Sequence, residues 1–183
     1  MESYRSLTRR EFMTRSFTAG ATLALESRIA RGQATVSRRF APPDRPLRTA
    51  VIGIGNRGND LIKTFGGTGL VEFTAFCDVD LDGAHTAESR KLYPTVPVFR
   101  DFRVMFDRMA AQFDAVIVAT PDHTHFPLAM HAMTHAKHVY VEKPLAHTFR
   151  EVDLLVATAA KTGVVTQMGN QGHSGNNYFQ FKA

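Results

Sequence analysis

The residues best able to do chemistry stand at a few places in the chain. Lys143 sits in "VYVEKPLAHT" (139–148), directly after a short apolar run and directly before a proline. Gly53, Gly55 and Gly58 form a G-x-G-x-x-G pattern that encloses Asn56 and Arg57, and Asp78 follows twenty residues after the last glycine. An ammonium at the mouth of a buried strand can stabilise negative charge developing on a reacting oxygen. A glycine cradle opening a helix offers backbone N–H groups and a positive dipole end to phosphates. The combination suits a phosphate-bearing cofactor with a cation beside it.

Each part of the cradle has a separate physical reason. The first glycine permits the tight turn, the second lets a pyrophosphate approach the backbone, and the third lets helix and strand pack closely. Asp78, at the end of the next strand, can accept hydrogen bonds from the adenosine ribose hydroxyls and would repel a 2′-phosphate. The stretch "DVDLDGAH" (78–85) supplies no Arg or Lys to welcome one, so NAD is expected in preference to NADP. Two alternatives stay open at this level. Asp78 could instead cap the following helix, and Arg57 could lie along the cofactor phosphates or simply face solvent.

These residues require a scaffold of alternating strands and helices, and the hydrophobic periodicity provides one. Apolar runs of strand length occur at 48–55, 71–80, 96–99, 114–120, 138–142 and 164–168. Helical patterns separate them at 56–65, from after Asp80 to about Tyr93, from Asp101 to about Ala110, at about 125–135 and at 148–161. The last helix carries a capping box in Thr148 and Glu151, an apolar face of Val152, Leu155, Val156 and Ala159, and Gly163 as its stop. Six strands alternating with helices predict a doubly wound parallel α/β sheet of Rossmann type.

Composition narrows the partners. At 183 residues the chain holds one ordinary domain and a leader. The net charge of +5 would suggest nucleic acid, but its distribution argues otherwise. Residues 1–48 carry ten Arg/Lys against four Asp/Glu, which is +6, and residues 49–183 carry twelve against thirteen, which is −1. The globular part therefore lacks an electrostatic footprint for phosphate backbones, and no nucleic-acid partner is expected. No apolar run approaches twenty residues, so no stable membrane span is expected either. Cys77, the one cysteine, lies in a strand-like run and reads as a small buried hydrophobe.

The basic front has its own pattern. "SLTRREFMTRSFTAGATLAL" pairs Arg9 with Arg10, places Phe12 two residues on, and continues into a mild apolar stretch. It resembles a twin-arginine export signal, which implies a periplasmic protein carried across already folded; a basic tail on a cytoplasmic protein is the alternative. Residues 1–34 are read as this signal, 35–46 as a Pro- and Arg-rich linker, and 47–170 as the NAD-binding domain.

Three later segments complete a family pattern: "VATPDHTHFP" (118–127), "VYVEKPLAHT" and "TQMGNQGHSG" (166–175). With the cradle they resemble the glucose-fructose oxidoreductase, inositol dehydrogenase and rhizopine catabolism (Gfo/Idh/MocA) family, over about 47–183. Thr120, Pro121 and His125 match its Thr-Pro-x-x-x-His turn, and Glu142, Lys143 and Pro144 its Glu-Lys-Pro signature. The resemblance implies a hydride exchange between a nicotinamide and a sugar, polyol or sugar derivative. Lys143 would hold the reacting hydroxyl and help move its proton. Thr120, Pro121, His125 and Glu142 would lie at the cofactor, and His173 would contact substrate. Members of the family continue into a second α/β domain that supplies an Asp and a His beside the lysine and mediates association. Residues 171–183 read as the start of that crossover, and a homo-oligomer is expected only where the second domain exists. Two other readings stand beside this one: an NAD-dependent glycosidase of the same family, and a catalytically silent, truncated nucleotide-binding module. Eight histidines include His123/His125 and the i, i+4 pair His131/His135, but no Cys pairs or H-E-x-x-H accompany them. No metal site is expected.

Overall fold

The computed structural model describes residues 45–173; the 1–34 leader, positions 35–44 of the linker and residues 174–183 lie outside that range. Strands β1 (Leu47–Ile52), β2 (Val71–Cys77), β3 (Val98–Phe99), β4 (Ala115–Val118), β5 (His138–Glu142) and β6 (Thr166–Gly169) form one sheet. All pairings are parallel, in the order β3-β2-β1-β4-β5-β6. Helices α1 (Arg57–Gly66), α2 (Ala84–Leu92), α3 (Phe102–Met109), α4 (His125–Thr134) and α5 (Phe149–Thr162) connect them. This is the expected doubly wound α/β fold.

Strand period explains why the central runs are apolar without interruption. Ala50 and Ile52 point into one core with α3, α4 and α5, where Met105, Phe106, Leu128, Met133 and Leu155 are buried. Val51, between them, points into the other core with Leu61 and Ile62 of α1 and Phe73 and Phe76 of β2. Both faces are covered, so no position on β1 from Thr49 onward is left for a polar, solvated side chain. Winding reverses where β1 lies beside β4, and the loops leaving those two strands diverge. A crevice opens there, at the carboxyl ends of the strands.

The elements at the sheet margins are shorter than their sequence patterns. The run 96–99 contributes only Val98–Phe99, because Pro97 has no N–H to give; its carbonyl accepts instead from Phe76 N–H at 2.9 Å. On α5 the capping box forms as expected, with Glu151 N–H donating to Thr148 Oγ1 at 3.2 Å and Thr148 N–H to Glu151 Oε2 at 3.0 Å. Gly163 ends the helix at φ +69°. The apolar face is only partly used. Leu155 is buried, whereas Val156 is 62% exposed. Cys77 is buried, and that burial pushes its thiol up to about 12, so it packs and does not react.

The histidine pair of α4 packs among aromatic rings. His131 packs edge-on against Phe102 at 5.1 Å and Phe106 at 4.6 Å, and its Nε2 is buried without a hydrogen bond. Burial holds its pKa below 6.5, aided by His135 and Arg103 and opposed by Asp107. His138 is also shifted down by burial, against the pull of Asp114, and its Nδ1 accepts from Val165 N–H at 3.0 Å. Both rings bind protons less readily folded than unfolded. Their stabilising contribution is therefore complete above pH 6.5 and is lost as pH falls through the lowered folded values. Melting temperatures measured from pH 8 to pH 5 should fall, and a His131→Phe/His138→Asn variant should flatten that decline. An equal decline in the variant would assign the pH dependence to other groups.

Candidate functional site

The sheet order sets the sequence-predicted residues in one row along its carboxyl edge. Asp78 follows β2, the glycine loop follows β1, Thr120 and Pro121 follow β4, Lys143 follows β5, and His173 lies in a short turn after β6. Strands in a sheet are about 4.8 Å apart, so Asp78 and Lys143 stand roughly 14 Å apart across three spacings. An open cleft of about 760 Å³ runs along the Asp78 to Thr124 part of this row. That lies within the ~300–1,000 Å³ of small-molecule clefts.

The glycine loop fits its assigned duty at two of three positions. Gly53 adopts φ +82°, and a Cβ there would come within 2.7 Å of the Ala119 backbone carbonyl. A Cβ on Gly58 would overlap the Gly53 carbonyl oxygen, which is the close helix-to-strand contact expected of the third glycine. Gly55 differs. Its open face is occupied by the ring of His85, a residue of α2 that lines the cleft and that the sequence reading did not single out. No periodicity or motif marks His85; only the packing of α2 against the loop brings it there. Asn56, at φ 41°, lines the cleft and its side chain does not cap α1.

At one end of the cleft Asp78 is pinned by backbone. Its Oδ2 accepts from Ile54 N–H at 2.9 Å and its Oδ1 from Asp80 N–H at 3.0 Å. It caps no helix, because Gly83 holds the N-cap position of α2. The remaining lone pairs of a carboxylate fixed this way are available to vicinal hydroxyls. Arg100 and Arg103, from the segment after β3, also line this end. The stretch 78–85 contains no cation, but the segment after β3 supplies two.

At the other end, side chains link the turns that follow β4 and β5. Thr120 and Pro121 line the cleft, and Thr124 Oγ1 donates to Thr120 Oγ1 at 2.7 Å. His125 does not face the cleft: it is 1% exposed, with Nδ1 2.6 Å from the Pro144 carbonyl and Nε2 2.8 Å from the Thr120 carbonyl. It ties the turn after β4 to the turn after β5 and supports the wall from behind. Glu142 is likewise buried, and Arg57, which lines the cleft, pairs with it. Arg57 Nε and NH2 both donate to Glu142 Oε1 at 2.9 Å, and Tyr140 Oη donates to the same oxygen at 3.3 Å. The pair braces the phosphate loop against β5. Lys143 is exposed, its peptide to Pro144 is cis, and among the described residues its ammonium has no ion pair or hydrogen bond. His173, also exposed, follows β6, whose Gly169 pairs with Glu142. Among the described residues no three His, Cys, Asp or Glu side chains converge as a metal site would require, and no helix is long and apolar enough to cross a membrane.

Fold and cleft together define a dinucleotide-binding Rossmann domain, with its crevice at the reversal of strand order. The chain belongs to the GFO_IDH_MocA oxidoreductase family, whose model, described as an NAD-binding Rossmann fold, matches residues 47–170. It is 36% identical over 130 residues to a glycosyl hydrolase family 109 protein of a Shewanella species, covering 67% of this chain and 28% of that protein. It is 33% identical over 130 residues to an alpha-N-acetylgalactosaminidase of Shewanella oneidensis, with the same coverage. The chain thus spans about 28% of the length of these curated relatives. Among solved structures, myo-inositol 2-dehydrogenase from Lactobacillus plantarum superposes with a TM-score of 0.66 at 24% identity, covering 75% of this chain and 40% of that one. The WlbA dehydrogenase from Chromobacterium violaceum, solved with NADH and UDP-GlcNAcA, gives 0.66 at 22% identity, covering 76% and 39%. These likenesses show the fold.

Proposed function

We propose that this chain is the cofactor-binding part of an NAD-dependent oxidoreductase that moves a hydride to or from a sugar, polyol or sugar derivative. The observation that carries the reading is the row from Asp78 through the glycine loop and Thr120 to an exposed Lys143. It offers a ribose acid, a phosphate turn and a cation in the order of a dinucleotide's own parts. Bound along that row, NAD would supply the hydride acceptor or donor. Asp78, unable to swing aside, would accept from both ribose hydroxyls and repel a 2′-phosphate, which favours NAD over NADP. Lys143 would hold the substrate hydroxyl oxygen through its ammonium and stabilise the charge that builds there as the proton leaves. Glu142 and His125 would position that turn, and His173 would reach the substrate from the adjoining strand. Export through a twin-arginine signal and work in the periplasm belong to the same proposal, supported by the Arg9–Arg10 pattern.

A second reading has specific support. The curated relatives are named as glycosidases, so the same hydride exchange could serve to oxidise and re-reduce a sugar while its glycosidic bond is cleaved. The test uses the protein expressed from its own gene, supplied with NAD and a panel of polyols, sugars and N-acetylhexosaminides. Substrate-dependent NADH release supports the oxidoreductase. Glycoside cleavage without net NADH would replace it by the glycosidase, and NAD binding with neither turnover would leave a silent nucleotide-binding module.

A further inference from the structure

The Asp78 end of the cleft carries two cations that the fold brings in from the segment after β3, and they are held in unequal ways. Arg103 is locked by Asp101 in a fork, Nε to Oδ1 at 2.9 Å and NH2 to Oδ2 at 2.6 Å. Asp101 also caps α3 through Arg103 N–H, so this pair belongs to the helix start. Arg100 is tethered to the strand end itself: its NH1 donates to the Val79 carbonyl at 3.1 Å, which places the guanidinium one residue from Asp78. Its second partner is Asp82, with NH2 to Oδ2 at 2.6 Å. That pair is loosely built, with Arg100 53% and Asp82 86% exposed. Ion pairs this exposed contribute little, so a phosphate dianion offering two oxygens can displace Asp82.

Resting on the dinucleotide reading, we propose that Arg100 is a second determinant of cofactor choice, acting against Asp78. Asp78 is fixed by two backbone amides and repels a 2′-phosphate. Arg100, free to turn from Asp82 while still tethered near Val79, attracts it. The margin between NAD and NADP is therefore a difference between two opposed terms. A chain with Asp78 alone would discriminate more sharply than this one does.

The experiment measures Kd for NAD and for NADP, by calorimetry, on the wild-type protein and on the Arg100→Ala, Asp78→Asn and doubly substituted forms. Asparagine keeps one oxygen for Ile54 N–H and removes the charge, giving up the bond from Asp80 N–H, and Arg100 is exposed, so the variants should fold; a thermal unfolding transition checks this. Loss of a charged hydrogen-bonding partner is worth about 1.5–3 kcal/mol, so Arg100→Ala should raise the ratio of the NADP Kd to the NAD Kd by about tenfold or more. Asp78→Asn should lower that ratio, and adding Arg100→Ala should cancel the gain. Where wild-type NADP binding is too weak to measure, the comparison within the Asp78→Asn background decides. A ratio unmoved by Arg100→Ala in both backgrounds would overturn the proposal, whether the two affinities hold or fall together. A wild-type protein that binds neither cofactor would remove the dinucleotide reading, and this inference with it.

Discussion

Replacing Lys143 by alanine is expected to lower turnover of the sugar-like substrate by about 10²–10⁴-fold, the range that positioned acid–base groups contribute. The NAD Kd should change by less than about threefold, since one exposed contact removed at the reacting end costs little of a binding energy spread along the whole dinucleotide. The reason lies in what Lys143 does not do. Its side chain is exposed and, among the described residues, makes no ion pair or hydrogen bond, so its loss leaves no partner stranded and no cavity. Lys143→Arg should rescue poorly, because a guanidinium keeps its proton at any working pH. Parallel measurement of kcat, KM and NAD Kd makes the distinction. A fall in kcat and kcat/KM together marks an interaction made in the transition state, while a rise in KM alone would reduce Lys143 to a substrate tether. Unchanged kcat would remove it from the mechanism.

The second large effect is expected at Gly58. A methyl group there overlaps the Gly53 carbonyl oxygen, and that oxygen belongs to backbone held by the Gly53 N–H bond to Cys77 O at 2.8 Å. Neither side can yield without moving α1 from β1. Gly58→Ala should therefore cost about 3 kcal/mol, at the upper end of overpacking, and weaken NAD binding by at least about a hundredfold as the phosphate turn opens. Gly55→Ala is the comparison. The atoms nearest its methyl group belong to the His85 ring, a side chain 37% exposed and able to turn, so stability should fall by less. Thermal unfolding and NAD titration of both variants check the order; equal losses would mean that His85 is as immovable as backbone.

Much of this protein is legible in its sequence because the determining signals are local. Among the described residues the six strands and five helices follow from apolar periodicity, and the capping box and Gly163 stop of α5 from residues three or fewer positions from the helix ends. The motif residues Gly53, Asp78, Thr120 and Lys143 reach the carboxyl edge because each follows the end of a strand, and parallel strands put all such ends on one side. What the pattern could not convey is which side chains then turn toward one another. His125 and Glu142 carry motif positions yet point inward, because buried polar groups go where partners can satisfy them, here the Thr120 and Pro144 carbonyls and the Arg57 guanidinium. Two of those partners, Pro144 and Arg57, lie 19 and 85 residues away along the chain.

The same division holds for charge and specificity. The sequence by itself determined a doubly wound α/β domain with a glycine cradle and an acid one strand over, since alternation, turn glycines and strand ends are properties of short stretches. Only the tertiary structure decided that Arg57 braces Glu142, that His85 covers Gly55 and that Arg100 stands beside Asp78. Strands distant in the chain lie about 4.8 Å apart in a sheet, and a charge from one then weighs on its neighbour as heavily as any residue next to it in sequence.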